Sequence, residues 1–102
     1  MSRYTLHSPV IKSFADKRTE ALFRERVAWG VPPDLVHRAA NKLDLLDGAK
    51  RLDDLRIPRG NRLHALRGDR EGQHAIAVND QWRICFRFVH GNAFEVEFCD
   101  YH

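Results

Sequence analysis

Residues 82–98 read WRICFRFVHGNAFEVEF, and this stretch decides the fold. Trp82, Ile84, Phe86 and Phe88 alternate with Arg83, Cys85, Arg87 and Val89, the period of two expected of a strand that sends one face into a core and the other away from it. His90-Gly91-Asn92 is a short turn-forming separator, and Ala93 to Phe98 resumes a strand pattern, so the two segments predict an antiparallel hairpin. Towards the N-terminus, His74 to Val78 is divided from Trp82 by Asn79 to Gln81, and Leu63 to Leu66 is divided from His74 by Gly68 to Gly72. Four consecutive strands with such connections predict a meander.

Upstream the period becomes helical. Asp16 is placed as an N-cap for a helix that runs to about Ala28 with Leu22, Phe23 and Val27 on one side, and Gly30 stops it. Pro32-Pro33-Asp34 opens a second helix whose stripe is Leu35, Val36, Ala39, Leu43 and Leu46, closed by Gly48 where left-handed backbone is favoured. Val10 to Phe14 reads as a short strand, residues 1–9 as a loose arm, and Arg51 to Asn61 as a linker carrying Leu52 and Leu55. The fold class predicted is α+β: two N-terminal helices packed on one face of a mainly antiparallel four- to five-stranded sheet, the other face open. One domain over residues 10–102 accounts for the chain.

Composition agrees with a single modest core, since 102 residues are 43% hydrophobic. No apolar run approaches the length of a membrane span and no secretory signal is visible, so a cytoplasmic protein without membrane contact is expected. Cys85 and Cys99 lie in strand contexts without metal-ligand spacing and read as ordinary buried thiols, with a disulfide as the minor reading. The net charge is only +3, but Arg56, Arg59, Arg62, Arg67, Arg70, Arg83 and Arg87 face only Asp69, Glu71 and Asp80 within residues 56–87, with no lysine. A planar guanidinium matches phosphate oxygens, which makes this cluster a candidate phosphate surface; the alternative is a solvated sheet face. For Arg87 a pairing with Glu95 or Glu97 is expected, and for Arg83 a functional role.

The chemistry-bearing residues are His64 and the terminal Asp100-Tyr101-His102. Two imidazoles can serve as proton acceptor and donor in one reaction, a carboxylate can orient one of them, and arginines can stabilise charge building on a phosphate. With no serine nearby and both cysteines in strands, the substrate must bring the nucleophile. RNA does so through its 2′-hydroxyl, and the scheme needs no metal or other cofactor. Reading His64, Asp100 and His102 as a metal site fits the ligand types but leaves the arginines, which repel a cation, without a purpose.

The block RLHALRGDREGQHAIAVNDQWRICFRF at residues 62–88, with Ile11-Lys12-Ser13-Phe14 and the terminal Asp100-Tyr101-His102, resembles the HigB toxins of bacterial type II toxin–antitoxin systems, within the RelE/ParE superfamily. The resemblance spans about Val10 to His102. It implies a small α+β messenger-RNA interferase that works in the ribosomal A site and is neutralised by a HigA antitoxin, usually a helix-turn-helix protein. It puts the family's catalytic histidine at His64, its C-terminal catalytic group at Asp100, Tyr101 and His102, a basic residue at Arg67 and the phosphate-stabilising arginine at Arg83. From the arginine cluster itself, Arg62, Arg70 and Arg87 are expected as further RNA contacts. His74 departs from the larger aromatic common at that position, and the arm departs from relatives that begin near Ile11. Tyr101 either stacks on a base, braces His102 or packs on the sheet edge. Superfamily relatives that act on DNA gyrase, and a silent RNA- or ribosome-binding inhibitor, are the competing functional classes.

Overall fold

The computed structural model describes residues 8–101, so the arm up to His7 and the terminal His102 lie outside the described residues. Its centre is the expected hairpin, strands β3 (Trp82–Val89) and β4 (Asn92–Asp100). Val89 pairs with Asn92, leaving His90 and Gly91 as a two-residue turn in which both have positive φ, 50° and 81°. That handedness matches the twist of the flanking strands, and glycine at the second position accepts it without strain. Outside β3 lie β2 (His74–Ala77) and the two-residue β1 (His64–Ala65), all neighbours antiparallel in the order β1-β2-β3-β4. β1 is shorter than the Leu63–Leu66 strand expected, although the Leu66 N–H still donates to the Gln73 carbonyl. β4 is longer than expected and carries the pairing on to Asp100, opposite Trp82.

The outer edge of β4 is covered by the chain's own start. Lys12 and Ala15 donate backbone N–H groups to the carbonyls of Ala93 and Val96, while Ala93 and Val96 donate to Val10 and Ser13. Further along, the Ser13 hydroxyl accepts from the Glu95 N–H, Thr19 Oγ1 accepts from the Phe98 N–H at 2.9 Å, and Arg18 Nη2 donates to the Phe98 carbonyl. The Val10–Phe14 strand foreseen from sequence is instead two isolated parallel bridges, Ile11 with Ala93 and Phe14 with Val96. The reason is a bulge in β4: the β3–β4 register shifts between Cys85 and Arg87, and Glu95 takes φ 55°, so no straight ladder is offered to a fifth strand. Asp47 Oδ1 fixes the entry of this segment by accepting from both the Val10 and Ile11 N–H groups.

Helix α1 (Lys17–Glu25) begins as predicted, with the Asp16 carboxylate accepting the Thr19 N–H at 2.7 Å. It ends at Glu25, earlier than the predicted Ala28 and without help from Gly30. Arg26 takes the left-handed C-cap at φ 59°, and its guanidinium bonds the Phe23 carbonyl and the Asp44 carboxylate on the next helix, contacts that offset the roughly 1–2 kcal/mol cost of that conformation. Helix α2 (Pro33–Asp47) buries Leu35, Ala39, Ala40, Leu43 and Leu46. Gly48 ends it with φ −97°, not in the left-handed conformation predicted, because its N–H is still within reach of the Asp44, Leu45 and Leu46 carbonyls.

Both helices cover the sheet face that carries Ile76, Ile84, Phe86, Val96 and Phe98, and Leu22 is fully buried between them and the sheet. The linker after α2 folds into two 3₁₀ turns, Leu52–Arg56 and Arg59–Asn61, around a buried polar residue. Asn61 Nδ2 donates to the carbonyls of Leu55 and Ile57, and its Oδ1 accepts from Lys42 on α2 at 2.6 Å. Among the described residues no helix is long and apolar enough to cross a membrane.

Replacing Thr19 by valine keeps its shape but strands the buried Phe98 N–H. Urea unfolding of Thr19→Val should show a loss of about 1–3 kcal/mol, the cost of an unsatisfied buried donor, whereas an unchanged midpoint would mean that the β4 edge does not need this cap.

Candidate functional site on the helix-free sheet face

Directly opposed residues in an antiparallel sheet share a face, so the register defines the candidate surface. One row runs His64, Ala75, Cys85, Glu97 across the four strands, and the next runs Ala77, Arg83, Cys99. Tyr101 continues this side, its N–H bonded to the Gln81 carbonyl. The face is not wholly open as expected: Leu66, Ala75 and Cys85 form a small buried cluster against which Cys99 packs. No helix covers it. Ala75 and Ala77 lie between His64 and Arg83 in the register, both buried, and the Cα atoms of His64 and Arg83 are roughly 12 Å apart by strand spacing and offset.

His64 is exposed, and its Nδ1 lies 2.8 Å from the Arg62 carbonyl oxygen. A carbonyl only accepts, so Nδ1 carries the proton in that bond and the neutral ring presents the Nε2 lone pair outward. Arg62 reaches this geometry through a left-handed backbone, φ 47°.

The arginines divide by their partners. Arg70 bridges Gln73 and Glu97, at 3.0 and 2.9 Å, and the Glu97 bond raises its pKa further above the ordinary value. Arg87 pairs with Glu95 at 3.0 Å, the pairing expected of it, and passes so close to Gly72 that a Cβ there would meet its Nη1 at 2.6 Å. Arg62 has a loose pairing with Asp80 at 3.9 Å. Arg67 is exposed, with no acid paired to it among the described residues. Arg83 is different from all of these. It lies beside Cys99, whose pKa it helps to lower, its guanidinium carbon lies 4.9 Å from the centre of the Tyr101 ring, and its buried Nε has no hydrogen-bond partner among the described residues. A buried donor left so costs about 1–3 kcal/mol, a penalty that an arriving anion relieves.

The predicted set is therefore only partly brought together. Arg83 and Tyr101 are in contact, and His64 shares their sheet face from β1. Asp100 shares its row with Trp82, so register puts it on the helix-bearing face, away from His64 and Arg83. His102 lies outside the described residues. Tyr101 lies against the Arg83 guanidinium. Sequence reasoning passed over the two alanines, whose period-two spacing at 75 and 77 was the available signal. It also passed over Arg18, whose guanidinium lies 5.5 Å from the Trp82 ring centre and 5.2 Å from that of Phe98.

Two helices on one face of an antiparallel meander, with a basic and partly bare second face, define the RelE-like class of α+β toxins. The family of RelE-like HigB toxins from type II toxin–antitoxin systems matches residues 12–102. "Endoribonuclease HigB" of Proteus vulgaris is 40% identical over 93 residues, covering 91% of this chain and 100% of that protein. "Toxin HigB-1" of Vibrio cholerae serotype O1 is 38% identical over 81 residues, 78% of this chain and 85% of its own. The chain belongs to the HigB-like toxin family.

His74, on the helix side, lies near Phe86 with ring centres 6.5 Å apart. Burial first, then the charges of His64 and Arg56, lowers its pKa below the ordinary histidine value. The folded protein thus binds this proton less readily than the unfolded chain, and stability falls as pH drops from near 6.5 towards the lower folded value. His74→Phe should flatten that part of the stability profile in urea titrations at pH 7.5 and 5.5; equal slopes for both proteins would assign the acid sensitivity elsewhere.

Proposed function

We propose that this protein is an endoribonuclease toxin that cleaves translated messenger RNA in the ribosomal A site, and that its antitoxin is of the HigA helix-turn-helix type. The observation that carries this reading is Arg83, half-buried with an unpartnered buried Nε, on the same sheet face as the exposed His64. The name of the Proteus vulgaris relative supports ribonuclease chemistry, and the match covers nearly the whole chain.

In this mechanism the Nε2 of His64 takes the proton of the RNA 2′-hydroxyl, whose oxygen attacks the adjacent phosphorus. Negative charge grows on the phosphoryl oxygens, and Arg83 donates to it, with Arg67 as a second contact. His102 protonates the departing 5′-oxygen, giving a 2′,3′-cyclic phosphate and a free 5′-hydroxyl. Tyr101 holds the Arg83 plane through its ring. Asp100, on the far face, fixes the strand end from which the tail leaves and so orients His102. Arg62 lends a peripheral phosphate contact, while Arg70 and Arg87, committed to Glu97 and Glu95, contribute chiefly field. The ribosome supplies what a small enzyme with few base-reading groups lacks, a message held in a reactive geometry. The site of action is then the cytoplasm.

Primer extension on a translated message after induction without antitoxin tests this reading. The intact protein should generate new in-frame 5′ ends. Folded His64→Ala should lower their yield about 10²–10⁴-fold, and Arg83→Ala about 10²–10³-fold. Growth arrest without new ends would move the target to gyrase or to silent ribosome binding, and equal cutting of naked RNA would remove the ribosome from the scheme.

A further inference from the structure

The sulfur atoms of Cys85 and Cys99 are 3.3 Å apart, and both thiols are free. They come from adjacent strands but stand diagonally, since Cys85 opposes Glu97 and Cys99 opposes Arg83. Their exposures differ in a useful way. Cys85 is fully buried, whereas Cys99 is reachable from solvent. The charged groups facing the pair are Arg83, directly opposite Cys99, and Arg70 and Glu97, which neutralise each other across a 2.9 Å bond. One uncompensated cation is therefore left beside Cys99.

We propose that Cys99 and Cys85 form an oxidant-sensitive dithiol, in which a hydroperoxide attacks Cys99 and Cys85 resolves it to an intramolecular disulfide. The Cys99 thiolate displaces hydroxide from hydrogen peroxide, giving a sulfenic acid; the peroxide O–O bond breaks and an S–O bond forms. The Cys85 sulfur then attacks that sulfur, forming the S–S bond and releasing water. Two thiols and one peroxide thus become one disulfide and two waters. Moving from 3.3 Å to a bonded distance of about 2 Å is within reach of small rotations of both side chains.

The assignment of roles follows from the same surroundings. The hydrogen bond from Cys85, with Arg83 and Arg70 acting against burial and Glu97, pulls the Cys99 thiol down to about 6. The bond to Cys99 and burial push Cys85 far up. The exposed sulfur is the thiolate and the buried one holds the proton. A disulfide sulfur carries no charge, so oxidation deprives Arg83 of its anionic partner. The bearing of this on RNA cleavage rests on the role proposed above for Arg83, while the covalent chemistry stands apart from it.

Treatment of the reduced full-length protein with hydrogen peroxide at neutral pH, followed by intact-mass analysis without reductant, tests the proposal. The expected product is a monomer lighter by about 2 Da, restored by dithiothreitol. Cys85→Ser should instead stop at the sulfenic acid and take up dimedone at Cys99, and Cys99→Ser should stay unmodified over the same exposure. Circular dichroism confirms that each serine variant is folded, and the wild-type mass alone suffices if one is not. Retention of both thiols, dimers linked between chains, or Cys99→Ser reacting as fast as Cys85→Ser would each overturn it. None of these readouts depends on nuclease activity.

Discussion

The sheet depends on how the outer edge of β4 is closed. A strand with one partner presents a line of unpaired N–H and carbonyl groups, and here residues 10–19 answer them in sequence: backbone for Ala93 and Val96, the Ser13 hydroxyl for Glu95, the Thr19 hydroxyl and Arg18 guanidinium for Phe98. Because the same short segment becomes helix α1 at Asp16, closing the edge also determines where that helix lies. Asp47, at the end of α2, accepts from Val10 and Ile11 and ties the second helix to the same line. The helical layer is thus positioned by polar contacts along one strand edge before its apolar stripes meet the sheet.

With one face committed to that layer, the candidate site lies on the other. The sheet there is built from small and charged residues, alanines on β2 and arginine, cysteine and glutamate on β3 and β4. Its arginines are sorted by carboxylate supply. Glu97 takes Arg70 and Glu95 takes Arg87, which leaves Arg83 with a thiol, an aromatic ring and an empty Nε. Unlike Arg70 and Arg87, it is not drawn into either of these carboxylate pairs.

Much of this was legible in the sequence. The alternation over 82–89 separated the core residues Ile84 and Phe86 from Arg83 and Cys85, and Asp16 announced its helix, because burial pattern and capping are local signals. What was not legible depends on contacts between distant residues. The end of α1 at Arg26 is decided by Asp44, eighteen positions on. The linker reads as polar loop, yet Asn61 draws two carbonyls and a lysine into a buried hub. Asp100 falls on the helix-bearing face only because of the β3–β4 register, which the bulge near Glu95 makes impossible to count from the turn. Of the seven arginines, sequence assigned an acid to Arg87 alone, through the neighbouring hairpin strand, and the Arg70–Glu97 pair, 27 positions apart, needed the fold.

His64 and Arg83 belong to parts of the sheet with very unequal support. Arg83 sits in the central strand, paired on both sides, while His64 occupies a two-residue edge strand anchored through 3₁₀ turns and the Asn61 hub. Local opening follows the sparsest contacts, so β1 is the strand whose release is expected to cost least. His64 then parts from Arg83 without disturbing the β3–β4 pairing, which makes the geometry of the candidate site a more fragile quantity than the fold that carries it.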